Sequence, residues 1–78
     1  MSENILRKID GPYVSQALKT LPDANKGKED FMETVIEVPV LGLVRFKCKR
    51  MTGRQGKYRY RFWSAIEAFK VEQKTTLG

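Results

Sequence analysis

The sequence predicts an α+β fold: an N-terminal helix, a three-stranded antiparallel β-meander and a C-terminal helix packed on one face of the sheet. Three patterns predict it, namely an apolar stripe at helical spacing between two prolines, strand-like alternation of apolar and polar residues, and a helix-capping pattern after the last alternating segment. The 78 residues are expected to form a single small domain in which residues 1–10 and 75–78 are flexible.

The N-terminal helix is predicted to begin at Pro12, because proline suits the first helical position, and to end before Pro22. Four apolar residues between these prolines recur at helical spacing and form one stripe: Val14, Ala17, Leu18 and Leu21. Residues 22–30 are polar and rich in turn formers, so they are interpreted as an exposed connection.

The first strand is predicted over Phe31–Val38, which is rich in β-branched residues and ends at Pro39. Its Ile36 and Val38 share a face with Val44 and Phe46 of the next strand only if the loop between the strands has an odd length. We therefore expect a three-residue loop of Val40, Leu41 and Gly42, with Gly42 in the left-handed conformation.

The predicted register also brings opposite charges of the two strands together. It places Glu37 opposite Arg45 and Glu33 opposite Lys49, so the acidic strand would neutralise one flank of the basic strand.

A second hairpin is predicted to join residues 44–51 to residues 57–63 through a turn at residues 52–56. The same parity argument places Phe46 and Cys48 on the core face beside three aromatic residues: Tyr58, Tyr60 and Phe62. It also places Lys47 and Lys49 beside a second set of cations, namely Lys57, Arg59 and Arg61. Like charges would then face one another across the strands, at a cost of roughly 0.2–1 kcal/mol per pair that an anionic ligand would relieve.

The C-terminal helix is predicted from Ala65 to about Gln73. Ser64 and Glu67 have the spacing of a capping box, and Ile66 and Phe69 give the helix an apolar side to lay against the sheet.

The basic charge is concentrated in one window. Residues 43–63 contain no acidic residue and eight basic ones: Arg45, Lys47, Lys49, Arg50, Arg54, Lys57, Arg59 and Arg61. Outside this window the chain is slightly acidic, so the net charge of +6 originates here. An alternating basic hairpin of this kind predicts a polyanionic partner, and we take all eight residues, together with Trp63, as candidate nucleic-acid contacts.

Two readings of the aromatic residues are open. Trp63 follows Phe62 and would point to the basic side, where it either stacks on an unpaired base or packs under the helix or the 22–30 loop. Tyr58 and Tyr60 are expected on the core face, which disfavours an exposed stacking platform of the RNA-recognition type.

Catalysis and metal binding find little support. The chain has no histidine and one cysteine, Cys48, which lies on the predicted inward face, and it lacks a phosphate-binding glycine loop. We therefore expect a non-enzymatic protein without metal or cofactor. No continuous apolar segment of signal or membrane length occurs in the first thirty residues, and we expect a cytoplasmic location and no membrane partner.

Residues 56–70, GKYRYRFWSAIEAFK, resemble the end of excisionase-type winged-helix proteins, in which a basic aromatic wing strand leads into a short helix. This resemblance implies DNA contacts by Arg54, Lys57, Arg59 and Arg61. The predicted element order is also similar to that of double-stranded RNA-binding domains, and its last four elements to the arm-binding domains of phage integrases. These are similarities of order only, and we assign no family.

The leading hypothesis is a nucleic-acid-binding protein, with DNA favoured over RNA, that holds the phosphate backbone on the basic face of its hairpin. It predicts that Arg59→Glu or Lys47→Glu abolishes binding, and that log affinity falls with log salt at a slope of about −4 to −6. The alternative is an interaction module or small inhibitor that docks on an acidic protein surface. The sequence leaves strandedness and homo-oligomerisation open.

Overall fold

The computed structural model describes residues 3–71 of the chain. A short 3-10 helix, Leu6–Lys8, precedes helix α1, Gly11–Lys19, and three strands follow: β1 is Phe31–Val38, β2 is Gly42–Gln55 and β3 is Tyr58–Lys70. The strands form one antiparallel sheet in the order β1-β2-β3. The predicted N-terminal helix and three-stranded meander are therefore confirmed.

Helix α1 covers one face of the sheet. Pro12 lies in its first turn, and Thr20 caps its end by donating its hydroxyl to the Ala17 carbonyl oxygen at 2.7 Å. Ala17, in the middle of the predicted apolar stripe, is fully buried, and Val14 and Leu18 pack against the same core. We call the covered side of the sheet the helix-side face and the uncovered side the open face.

The hairpin of β1 and β2 has the predicted parity but a different register. Val38 pairs with Gly42, so the connecting residues are 39–41 and the strands are displaced by two residues from the expected pairing. Glu37 lies opposite Leu43, and Arg45 lies opposite Val35. The predicted positive φ of Gly42 is confirmed at 80°. Pro39 is the first residue of the turn and Val40, with φ of 73°, the second, so the turn is one residue earlier than predicted.

The hairpin of β2 and β3 is longer and tighter than predicted. Its strands continue to Gln55 and Tyr58, which pair across a two-residue turn at Gly56 and Lys57. Nearer the body, Lys47 pairs with Glu67 while Cys48 pairs with Ala65, so Ile66 is an extra residue that forms a β-bulge. Because a side chain changes face at every residue, this extra residue reverses the parity of β3 between body and tip.

The predicted C-terminal helix is wrong within the described residues. Ser64–Lys70 continues β3, and Ala68 is fully buried opposite Phe46. The last predicted helical residues, 72 and 73, lie outside the described residues. Without this helix, neither the resemblance of residues 56–70 to a wing strand that leads into a helix nor the similarity in element order to RNA-binding and integrase domains is supported.

Residues 4–9, which belong to the segment 1–10 that is predicted to be flexible, pack on the sheet. Ile5 and Ile9 are buried in the core, and the Ile5 amide donates to the Ala68 carbonyl oxygen at 2.8 Å. The amide of Ala68 in turn donates to the Asn4 side chain at 3.0 Å. Residues 75–78, also predicted to be flexible, lie outside the described part of the chain.

The described residues form an elongated body, 56 Å along its longest axis and 25 by 21 Å across. The core lies where three strands and the helix overlap, and Val44, Phe46 and Cys48 are its largest fully buried side chains. Phe31, the first residue of β1, pairs with Lys49, so only β2 and β3 form the sheet beyond this point. We call residues 51–62, the two-stranded end of this hairpin, the arm.

Candidate nucleic-acid interface

The eight basic residues of the window are divided between the two faces of the sheet, which corrects the expectation of a single cationic face. The open face carries three of them: Arg45, Lys47 and Lys49. The helix-side face, on which Trp63 lies, carries four of them: Arg50, Arg54, Arg59 and Arg61. The eighth, Lys57, lies in the turn. The division follows from alternation along β2 and from the two-residue turn, which places Arg59 and Arg61 opposite Arg54 and Thr52 and thus on the helix-side face.

On the helix-side face of the arm, Arg54 lies directly opposite Arg59, and Arg61 occupies the next row on this face, opposite Thr52. All three arginines and the turn residue Lys57 are exposed. Within residues 3–71 none of these four side chains forms an ion pair. The arm therefore presents several charged groups with no internal counter-ion in the described structure.

An open depression lies beside the paired arginines. It is lined by Thr52, Gly53, Arg54 and Arg59. A guanidinium group offers up to five N–H donors in a fixed plane and matches the oxygens of a phosphate or carboxylate. Two guanidinium groups on facing strands beside a depression are thus suited to hold an anion.

The root of the arm is fastened to the loop of residues 22–30. Arg50 donates to the carbonyl oxygens of Gly27 and Lys28, the latter at 3.3 Å, and pairs with Asp30 at 3.2 Å. Its side chain is only 11% exposed. The backbone amide of Arg61 donates to the Asn25 side chain at 3.0 Å. Arg50 therefore has a structural role, and we leave it out of the contact set.

Trp63 also belongs to this root. It is 9% exposed, lies opposite Arg50, and donates its indole N–H to the Pro22 carbonyl oxygen at 2.8 Å. The prediction that it projects among exposed basic residues is wrong, and packing against the 22–30 loop, the other predicted reading, describes its position. Trp63 is not available to stack on a base.

The prediction for the other arm aromatics is also wrong. Tyr58, Tyr60 and Phe62 lie on the open face, where they are 78%, 43% and 41% exposed. The Tyr60 ring lies against Gly53, its partner on β2, and its centroid is 5.8 Å from that of Phe62. Met51, opposite Phe62, is exposed on the same face. These faces differ from the prediction because the turn has two residues, Gly56 and Lys57, and not the five predicted, so each β3 residue of the arm pairs with a β2 residue of the opposite parity.

Charges on the open face of the body are largely balanced. Lys47 lies between Glu33 of β1 and Glu67 of β3, and Arg45 pairs with Glu33 at 3.6 Å. Lys49 lies opposite Phe31 and Ser64, with its ammonium group 6.0 Å from the Phe31 ring centroid. The expected opposition of Lys47 and Lys49 to basic residues of β3 is therefore wrong. In the paired strands, Arg54 and Arg59 are the directly opposed like charges.

The net charge of the protein originates in a shorter segment than the window of residues 43–63. Residues 49–63 contain six of the 15 Lys and Arg residues and none of the nine Asp and Glu residues. The remaining nine basic residues equal the nine acidic ones in number. The excess of +6 thus lies in the arm and its root, while the rest of the chain is neutral in formal charge.

Cys48 is fully buried on the helix-side face. Burial raises the pKa of its thiol, because desolvation disfavours the charged thiolate. Within residues 3–71 no group of three or more candidate metal ligands occurs. No helix in the same part of the chain has the length and apolar character needed to cross a membrane.

Comparison of the chain with protein-family models, with curated proteins and with solved structures finds no match.

Proposed function

We propose that the protein binds nucleic acid, without enzymatic activity of its own, through phosphate contacts on the helix-side face of the arm. The observation that carries the proposal is the charge distribution. Four exposed cations, Arg54, Lys57, Arg59 and Arg61, project from one end of an elongated molecule and have no ion-pair partner among residues 3–71. Phosphate contacts by Lys and Arg supply most of the affinity in sequence-independent nucleic-acid binding.

The arm has a suitable shape for this role. It is a two-stranded ribbon anchored at its root by Arg50 and Trp63, so its tip is presented away from the body. A ribbon of this width fits the major groove of B-form DNA, whereas the major groove of A-form RNA is too deep and narrow. For a duplex ligand, these dimensions favour DNA over RNA.

The cost of the opposed arginines also supports an anionic ligand. Arg54 and Arg59 face each other directly, and such a pair destabilises a strand ladder by about 0.2–1 kcal/mol. A phosphate bound between the two guanidinium groups would remove this repulsion and convert it into attraction. A structural surface without a ligand gains nothing from the pair.

The test is fluorescence anisotropy with a labelled 20-base-pair DNA duplex and a labelled 20-nucleotide oligothymidine at several salt concentrations. The variant Arg54→Gln/Arg59→Gln removes two charges from the arm, and Lys19→Gln/Lys70→Gln removes two from exposed sites elsewhere. Lys70 lies on the same strand as Arg59, about 36 Å from it at 3.3 Å per residue.

We expect the arm variant to lose at least tenfold in affinity at low salt, and its salt slope for duplex to fall from about −3.6 to about −1.8, as expected for two of four phosphate contacts. The control variant should bind within about threefold of the unmodified protein. Equal losses in both variants would mean that net charge alone causes binding, and no binding by the unmodified protein would overturn the proposal.

One observation favours a second candidate, the docking of the arm on an acidic protein surface. Met51, Tyr60 and Phe62 are exposed on the arm next to its arginines, and Met, aromatic residues and Arg are enriched in the centres of protein interfaces. A protein that binds neither duplex nor single strand, but binds a defined acidic protein in a manner abolished by Arg54→Gln/Arg59→Gln, would favour this function.

A further inference from the structure

The arm has two chemically different faces, and the proposed phosphate contacts use only one of them. The other face carries Tyr58, Tyr60 and Phe62 in one row along β3, at alternate residues. We infer that this row binds unpaired bases, and that the ligand of the arm is therefore a single-stranded nucleic acid. The inference rests on the proposed function and names the ligand class for the same arm.

The orientation of the rings supports stacking. A Cβ atom added to Gly53 would overlap the Cζ, Cε2 and Oη atoms of Tyr60, so the ring lies across the glycine backbone and not away from the sheet. With 43% of Tyr60 exposed, the side of the ring away from Gly53 is open to solvent. An aromatic ring held in this way offers a flat surface, and base stacking on such surfaces accepts any of the four bases.

The spacing of the rings favours an unpaired strand over a duplex. The centroids of Tyr60 and Phe62 are 5.8 Å apart, and same-face residues on a strand repeat at about 6.7 Å. Stacked bases in a duplex repeat at about 3.4 Å and their faces are covered by neighbouring bases. Only a strand whose bases are separated can place successive bases on successive rings.

Charge complementarity identifies the occupant as a polyanion. No acidic residue occurs in residues 49–63, and Lys49 lies on the open face one row inward from Phe62. The arm is two strands wide, with about 4.8 Å between strands, so the side chains of Arg59 and Arg61 are long enough to extend from the opposite face to the edge of the ribbon. Bases on the rings would leave the phosphates near these cations.

The experiment compares three labelled 20-nucleotide probes at one salt concentration: oligothymidine, oligouridine and a DNA duplex. The variant Tyr60→Leu/Phe62→Leu removes both rings but keeps apolar side chains. Phe69→Leu is the matched control, because Phe69 lies on the same strand and the same face, about 23 Å from Phe62 and opposite Arg45. The variant Tyr60→Phe keeps the ring and loses only the hydroxyl.

We expect the unmodified protein to bind oligothymidine more tightly than duplex, and Tyr60→Leu/Phe62→Leu to weaken single-strand binding at least tenfold while changing duplex binding less than threefold. Tyr60→Phe and Phe69→Leu should retain single-strand affinity. The ratio of oligothymidine to oligouridine affinity identifies DNA or RNA as the source of the strand, and either result supports the inference.

Two results would overturn the inference while the proposed function stands: tighter binding to duplex than to single strand, or loss of less than threefold on removal of both rings. Equal losses on single strand and duplex would also overturn it, since they indicate a general defect of the arm. Thermal unfolding followed by circular dichroism identifies such a defect. Failure of the unmodified protein to bind any of the three probes would overturn the proposed function and the inference together.

Discussion

Gly53 is the residue on which the surface of the arm depends most closely. It lacks a side chain where the Tyr60 ring crosses the sheet, and its φ is not in the left-handed region, so the requirement for glycine is one of space alone. The atoms that would be displaced belong to the far end of a tyrosine side chain, which can rotate away. A substitution here should therefore change the surface more than the stability.

We predict that Gly53→Ala changes the free energy of unfolding by less than about 1 kcal/mol but displaces the Tyr60 ring, and that it weakens oligothymidine binding. Chemical denaturation and the NMR shifts of the Tyr60 ring protons measure the two effects. Gly11→Ala is the control, because a Cβ at Gly11 meets no atom within 4 Å. Unchanged Tyr60 shifts in Gly53→Ala would contradict the prediction.

The residues for which sequence reasoning failed share a physical cause. Tyr58, Tyr60, Phe62 and Trp63 each lie on the face opposite to the predicted one, because the prediction depended on a five-residue turn at residues 52–56. The turn has two residues and not five, and this change from an odd to an even length shifts the pairing by one residue, which exchanges the two faces of β3 in the arm. The residue types favoured the longer turn, since Gly53 and Gly56 are both typical turn residues, but Gly53 lies within β2, opposite Tyr60.

Among the elements, helix α1 and strand β1 were predictable because their patterns are local. Pro12 and the apolar stripe define the helix, and the β-branched residues of Phe31–Val38 define the strand. The last part of β3 was not predictable in this way. Ser64 and Glu67 have the spacing of a capping box, but pairing with β2 and burial of Ala68 stabilise the extended conformation.

The candidate site was predictable only where it depends on local composition. Composition located the basic hairpin, and the turn and strand lengths that divide its cations between two faces depend on long-range pairing. Arg50 illustrates the limit, because its partners Gly27, Lys28 and Asp30 are more than 19 residues distant in sequence. Nothing in the spacing of basic residues distinguishes such an arginine from its exposed neighbours.

The turn between β1 and β2 contains a conformation unfavourable for its residue. Pro39 followed by Val40 at φ of 73° matches the two central residues of a type II turn, the second of which is usually Gly or Asn. A β-branched residue in the left-handed region costs about 1–2 kcal/mol, and Val40 is fully exposed, so packing does not offset this cost.

We predict that Val40→Asn raises the free energy of unfolding by about 1 kcal/mol. Val35→Asn provides the control, because Val35 is also exposed but lies in extended strand conformation, where asparagine is disfavoured and should lower stability. Urea denaturation of the three proteins measures both changes. A decrease of similar size in both variants would contradict the assignment of strain to Val40.

In the molecule as a whole, the clustered positive charge is expected to lower the stability of the free protein. The formal excess of +6 lies in residues 49–63 at one end of a 56 Å body, and within that region Arg54 and Arg59 repel each other. Such repulsion between exposed charges weakens as salt screens it, with a Debye length of about 10 Å at 0.1 M. The residues proposed to bind the ligand should therefore reduce the stability of the free protein.

We predict that Arg59→Gln stabilises the free protein by a few tenths of a kcal/mol up to about 1 kcal/mol at low salt, that 0.5 M salt reduces this gain, and that the same variant binds nucleic acid more weakly. Thermal unfolding at two salt concentrations measures the effect. Arg45→Gln is the control, since Arg45 pairs with Glu33 and its removal should not stabilise the protein. A loss of stability in Arg59→Gln equal to that in Arg45→Gln would contradict the claim that repulsion between Arg54 and Arg59 destabilises the free protein.

The position of Trp63 has a spectroscopic consequence. It is the single tryptophan of the chain, and its indole is buried at the junction of arm and body, bonded to the Pro22 carbonyl oxygen. Because indole emission depends on the polarity around the ring, the intrinsic fluorescence of the protein reports on this junction and not on the exposed rings of the arm. A titration followed at tryptophan wavelengths thus distinguishes a ligand that only occupies the arm from one that separates the arm from the loop beneath it.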